Sequence, residues 1–219
     1  MPTPRRWRRR GAPRRVARPD PIALVKAWVR RVVVGEGLCP FAAGPLASGR
    51  VAFARIEGPD VAHVATEIGL AARRLLAAPP ARIETVLLVC SEPWLSFDAA
   101  LDVAALVSAH LEATGLADRL QVVTFHPDFR FEGAEADDPA NATNRAPHPV
   151  FQLLRQASVH QATEGRDPAH IWRRNAAHLR RLGPAAVARL SDPAHLMQVE
   201  TPEAVGPKSR SRPAGRARS

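Results

Sequence analysis

Ile83-Glu-Thr-Val-Leu-Leu-Val89 runs into the continuous apolar stretch Val86–Val89, too short for a core helix and bounded by turn signals. A run of that kind reads as a strand buried on both faces of a sheet. Pro79-Pro80 separates it from a helical pattern in which Asp60 is the N-cap and Val61, Val64, Ile68, Ala72 and Leu75 share one face. On its other side Ser96 caps a further helix carrying Leu101, Ala104, Ala105 and Leu111, which Gly115 ends. A buried strand between two amphipathic helices is the repeating unit of an α/β layer.

The same alternation extends in both directions. Residues 50–56 alternate like a half-buried strand, and residues 120–125 (Leu-Gln-Val-Val-Thr-Phe) form a third. Upstream, Asp20-Pro21 opens a helix with Ile22, Val25, Trp28, Val29, Val32 and Val33 at helical spacing, and Gly35 and Gly37 stop it. Downstream, Val150, Leu153, Leu154 and Ala157 suggest a helix starting near Pro149. Asp167-Pro168 opens a last long helix with Ile171, Asn175, His178, Leu179 and Leu182, closed by Gly183-Pro184, with room for a short helix after it. The expected order is α-β-α-β-α-β-loop-α-α, without internal repeats. It predicts a single layered α/β domain over 19–200, with a small, largely parallel or mixed sheet flanked by helices. Three strands are few for such a sheet, which leaves room for a fourth short one inside the long loop.

Charge is unevenly spread. The 219 residues carry 31 Lys+Arg against 21 Asp+Glu, a formal net charge of +10. Residues 1–18 hold eight arginines and no acid, and residues 207–219, within the tail 201–219, hold four arginines, Lys208 and no acid. Without the basic ends, 19–206 has a net charge of about −3. Both tails read as disordered, solvated segments, with weak and salt-sensitive nucleic-acid contact as the alternative. Two cysteines, Cys39 and Cys90, make no disulfide framework and favour a reducing compartment. No apolar run approaches the roughly 20 residues of a membrane span, and no apolar segment follows the arginines as a secretory signal would require. A cytoplasmic protein with no membrane partner is the expectation.

The chemistry-bearing residues collect in the stretch 126–148, which has no clear period. Loops of that length inside a compact domain are usually functional or disordered, and Phe125, Phe129 and Phe131 give this one apolar anchors. His126 and Asp128 follow the carboxyl end of a predicted strand, where open α/β sheets place ligands. Asn144 and Arg145 precede the helix expected near Pro149, where free backbone N–H groups and a guanidinium fork suit an anion. Asn141 and His148 complete the candidate binding set. The bland alternative is that Asn141, Thr143 and Asn144 satisfy loop backbone while Arg145 pairs with Asp137 or Asp138.

Cys39, between a helix end and Pro40, reads as a nucleophile, a metal ligand or a small buried hydrophobe. His126 is the best candidate base for it, positioned by Asp128. Cys90 reads as core, and Ser91 and Glu92 beside it fall where they could line the same cleft. Cys39, His126, Asp128 and His148 are legal metal ligands but lack any tight ligand spacing, so no metal site is assigned. No dinucleotide fingerprint, P-loop or nucleophile elbow occurs, and the cofactor is left open.

Several blocks resemble an uncharacterised bacterial family, the domain of unknown function numbered fourteen-fifteen. They are Leu38-Cys39-Pro40-Phe41 after the Trp-Val helix, the segment Thr124–Phe131 (Thr-Phe-His-Pro-Asp-Phe-Arg-Phe), and Asn141-Ala-Thr-Asn-Arg145-Ala-Pro-His-Pro149. Leu153–Val159 is similar as well, and the likeness spans roughly residues 20–183. That family commonly has an aromatic at the second and eighth positions of the Asn-rich block, where this chain has Ala142 and His148. The resemblance implies no established activity. The leading expectation from the residues is a small enzyme acting on an anionic metabolite. In it Arg145 and Asn144 orient the anion, His126 with Asp128 serves as acid or base, and Cys39 is the nucleophile or thiol partner. A binding module without chemistry, and a nucleic-acid-associated protein working through its tails, are the alternatives.

Overall fold

A computed structural model describes residues 19–92, 94–163 and 168–198. The terminal tails and Asp167 lie outside the described residues.

The first helix, α1 (Pro21–Trp28), begins where the sequence places it: Asp20 Oδ2 accepts the Ala23 N–H at 3.1 Å. It runs on without a break into a π-helical stretch, Val29–Val34. The wider turn is visible at Gly35, whose N–H donates to Arg30 O at 3.1 Å, five residues back. A Cβ on Gly35 would stand 2.1 Å from Arg31 O, so only glycine closes this helix. A short helix α2 (Ala43–Ala47) follows, then β1 (Val51–Ile56), α3 (Val61–Ala77), β2 (Thr85–Cys90), α4 (Phe97–Ala113) and β3 (Leu120–Phe125). Asp60 and Ser96 cap α3 and α4, accepting the N–H groups of His63 at 2.8 Å and Ala99 at 3.2 Å.

The sequence expects a helix from Pro149, but Val150–Arg155 is a strand, β4, and the helix α5 (Gln156–Thr163) starts only after it. The apolar spacing 150, 153, 154 is helical, but with Phe151 the same residues also form a short apolar run of the kind buried on both faces of a sheet, and periodicity does not separate the two. What decides is tertiary. β4 lies between β2 and β3, antiparallel to both, and is buried on its two faces. The sheet order is β1-β2-β4-β3, with β1 and β2 parallel. It is therefore mixed, and its fourth strand follows the long loop instead of hiding within it. The chain ends in α6 (Pro168–Leu182), α7 (Pro184–Leu190) and α8 (Pro193–Leu196).

Strand alternation divides the core in two. One face of the sheet, with Val86, Leu88, Phe151 and Leu153, packs under α3 and α4. The opposite face, with Leu87, Val89 and Val150, packs under α1, the π-helical stretch and the helices from α6 onward. Arg155 closes β4 against the first layer: its Nη2 donates to Leu75 O at 2.7 Å, Ala78 O at 2.6 Å and Ile83 O at 3.1 Å. A guanidinium at the C-terminal end of α3 supplies the donors and the positive charge that its last carbonyls lack.

Replacing Arg155 with Leu leaves three carbonyls without their donor, and should cost on the order of 3 kcal/mol of unfolding free energy. Urea unfolding measures it. A loss below about 0.5 kcal/mol, the level of an ordinary surface substitution, would contradict this role for Arg155.

Candidate functional site

The loop from 126 to 149 is a self-supporting structure. Asn141 is fully buried; its Oδ1 accepts the Phe131 N–H at 3.0 Å and its Nδ2 donates to Glu135 O at 2.8 Å. Arg145 donates from Nε to Phe129 O at 3.0 Å and from Nη2 to Ala136 O at 2.6 Å. No helix follows Arg145, so the helix-terminus half of the expected anion site is replaced by the start of β4. The alternative pairing with Asp138 is not seen either: Asp138 binds Arg180 of α6 at 2.6 Å, which holds its carboxyl below the usual carboxylate range.

His126 is 3% exposed, and both ring nitrogens are engaged. Nδ1 accepts the Asp128 backbone N–H at 3.0 Å, which leaves the proton on Nε2 to donate to Leu95 O at 3.1 Å. The ring is therefore held as one neutral tautomer between the loop and the segment before α4. The Asp128 carboxylate is 3.9 Å from Nδ1 and its side chain is 84% exposed. His148 lies elsewhere, near Arg55 and Asp20, and partial burial followed by the Arg55 charge pulls its pKa down.

A cavity of about 730 Å³ opens beside this loop, over the second face of the sheet. Its floor is Leu87, Thr85, Gln152, Leu154 and Val123, and its walls are the π-helical stretch with the Cys39 loop, the loop residues Phe131, Thr143 and Asn144, and α5 and α6. Of the candidate residues, Cys39 and Asn144 line it; His126, Asp128, Asn141, Arg145 and His148 do not. Cys39 thus shares the cavity wall with Asn144, while His126 and Arg145 are not among the residues that line it.

The walls are mainly aromatic and aliphatic. Phe131 and Trp172 on the wall continue a chain of rings from Phe97 and Phe129 behind it; the four pack edge to face with centroids 5.3, 5.0 and 6.1 Å apart and tie α4 through the loop to α6. On the floor Gln152 Nε2 donates to Thr85 Oγ1 at 3.0 Å, and that hydroxyl donates to Leu153 O at 2.8 Å. At one edge Glu84 pairs with Arg50 at 2.9 Å and also accepts from Ser158 Oγ. At the other, Asn175 Nδ2 donates to Leu38 O at 2.7 Å and anchors the Cys39 loop to α6.

Cys39 is half-buried. Burial pushes its thiol above the ordinary value, against the pull of the Phe41 and Ala42 backbone N–H groups on the sulfur and of the Arg174 charge. Among the described residues Arg174 donates to two neutral acceptors, Gly37 O and Asn175 Oδ1. Cys90 is core, as expected, with its thiol also raised by burial. Among the described residues no cluster of His, Cys, Asp or Glu could hold a metal ion, and no helix is long and apolar enough to cross a membrane.

Sequence reasoning missed Trp28, Thr85, Gln152, Trp172 and Asn175. The available signal was Gln152 and Thr85: polar residues at alternate positions of strands otherwise buried on both faces.

Fold and site together define an α/β domain with a mixed four-stranded sheet and a ligand-sized cavity on one of its faces. The chain matches the family described as "Protein of unknown function (DUF1415)" over residues 20–189 and belongs to that family. No curated protein and no solved structure matches it.

In a Cys90→Ala protein the rate of alkylation by iodoacetamide should rise with pH around a midpoint above that of free cysteine, since a raised pKa leaves less thiolate at any given pH. Arg174→Gln should move the midpoint further up. A midpoint at or below that of free cysteine would contradict the burial of the thiol.

Proposed function

We propose that this protein is a binding domain for a small, largely apolar molecule that lies in the cavity over the sheet. The observation that carries the reading is the cavity itself, whose 730 Å³ falls within the roughly 300–1,000 Å³ of small-molecule sites. Its composition supports an uncharged ligand body. Aromatic and aliphatic walls surround a few neutral polar groups; of the charged lining residues, Arg50 and Glu84 pair with each other and Arg155 turns its guanidinium to carbonyls at the end of α3. An anion held by Arg145 is less well supported, because two of that guanidinium's nitrogens are spent on loop carbonyls outside the cavity wall.

A second reading, an enzyme that acts on its ligand through Cys39, draws on one observation: the thiol stands in the cavity wall with two backbone N–H groups and Arg174 acting on it. His126 is poorly suited as the base in that reading, because both ring nitrogens are hydrogen-bonded and it is not among the lining residues.

Titrating the full-length protein with the uncharged fluorophore N-phenyl-1-naphthylamine tests the first reading. Binding should be saturable. Filling the floor with Val123→Trp or Leu154→Trp should weaken it at least about tenfold, roughly 1.4 kcal/mol. Leu106→Trp, at an exposed position of α4, should leave it unchanged. Absence of binding, or equal binding by both floor variants and wild type, would refute the reading.

A further inference from the structure

The floor of the cavity carries an amide among apolar neighbours. Gln152 stands in β4 with Leu87 opposite it in β2 and Val123 opposite it in β3, and Leu154 follows on the same face. The direction of its carboxamide follows from a short chain of hydrogen bonds. Leu153 O can only accept, so Thr85 Oγ1 gives it the hydroxyl's single hydrogen at 2.8 Å. Toward Gln152 that hydroxyl oxygen can then only accept, and the amide turns its nitrogen to it at 3.0 Å. A flipped amide would set two oxygens against each other with no hydrogen between them. Gln152 Oε1 therefore takes the other end of the amide. It accepts no hydrogen bond among the described residues, and it is not one of the buried unpaired atoms, so it is open to the cavity that Gln152 lines.

On the wall Asn144 repeats the arrangement: its Nδ2 donates to Thr124 O at 3.4 Å, which leaves Oδ1 open. The hydroxyl hydrogens of Thr85 and Ser158 are committed to Leu153 O and Glu84, and Trp28 Nε1 and Thr143 Oγ1 are buried out of a ligand's reach. An open amide oxygen on an apolar floor discriminates between ligands. One that covers it without offering a donor strips its water and returns nothing.

We propose that the ligand of this cavity carries a hydrogen-bond donor, a neutral hydroxyl or N–H, on its apolar body, and that this donor binds Gln152 Oε1. The inference rests on the binding reading above and adds the chemical class of the ligand and the residue that selects it. Thr85 is a positioning residue, because its hydroxyl fixes which end of the amide the ligand meets. The amide's second N–H is the competing recognition element, and an acceptor-only ligand separates the two.

Three competitors sharing one aromatic body test it by displacing N-phenyl-1-naphthylamine from the full-length protein at neutral pH: 2-methylnaphthalene, 2-methoxynaphthalene and 2-naphthol. Each inhibition constant is corrected for the fluorophore's own affinity in that protein. In wild type 2-naphthol should compete roughly tenfold better than the other two. A floor without an open acceptor gives the opposite order, since the hydroxyl then loses its water for nothing. In Gln152→Met the advantage should vanish while 2-methylnaphthalene competes as before. In Thr85→Val the amide is free to turn over, and 2-methoxynaphthalene should gain on 2-naphthol; this arm keeps the test available if the Met variant folds poorly. Suppose the fluorophore binds, but 2-naphthol has no advantage over 2-methoxynaphthalene in wild type, or keeps it in Gln152→Met, or Thr85→Val is as selective as wild type. Any of these overturns the donor inference and leaves the binding reading standing. If the fluorophore does not bind wild type, both fall.

Discussion

The insertion of β4 between β2 and β3 is the constraint on which the rest of the structure depends. β1, β2 and β3 run in one direction, each reached by way of a helix, and β4 returns against them through the middle of the sheet. Because Phe125 pairs with Val150, the whole segment 126–149 must leave and re-enter at one end of the sheet. The same insertion sets Gln152 beside Thr85 on the open face and sends Arg155 to the end of α3 on the other. One strand thus closes the first core layer and furnishes the floor of the second.

That geometry explains how the loop is held in place with one 3-10 turn, Pro139–Thr143, as its regular structure. Its backbone groups find partners in Asn141 and Arg145, its imidazole locks the turn at Asp128, and Arg180 pins Asp138 to α6. The polar side chains that look catalytic in the sequence are largely consumed in shaping the loop. Their product is a wall: Phe131, Thr143 and Asn144 face the cavity because the others hold the loop there.

Much of the fold was legible. The caps at Asp20, Asp60 and Ser96, the strands at 50–56, 83–89 and 120–125, and the helices between them follow from local patterns that the tertiary structure does not override. β4 was not legible, because an apolar run of this length reads as a helix face or as a strand buried on both faces, and only its long-range partners choose. The candidate site was legible in part. Cys39 and Asn144 do face the cavity, but a residue type says nothing of whether its polar atoms are already satisfied. His126 and Arg145 carry the right chemistry and spend it on backbone within the loop and its neighbour. The cavity lies on the face of the sheet instead of at the strand ends, and that follows from the return of β4, the one element whose period was ambiguous.

The most direct measurement of the central claim is a set of methyl spectra recorded as N-phenyl-1-naphthylamine is added to protein labelled at its Val and Leu methyls. The account predicts that Val33, Leu87, Val123 and Leu154, which line the cavity, shift together along one saturation curve. Leu101 and Leu106, exposed on α4 across the sheet, should stay still. Shifts confined to the α4 methyls, or spread evenly over the protein, would contradict it.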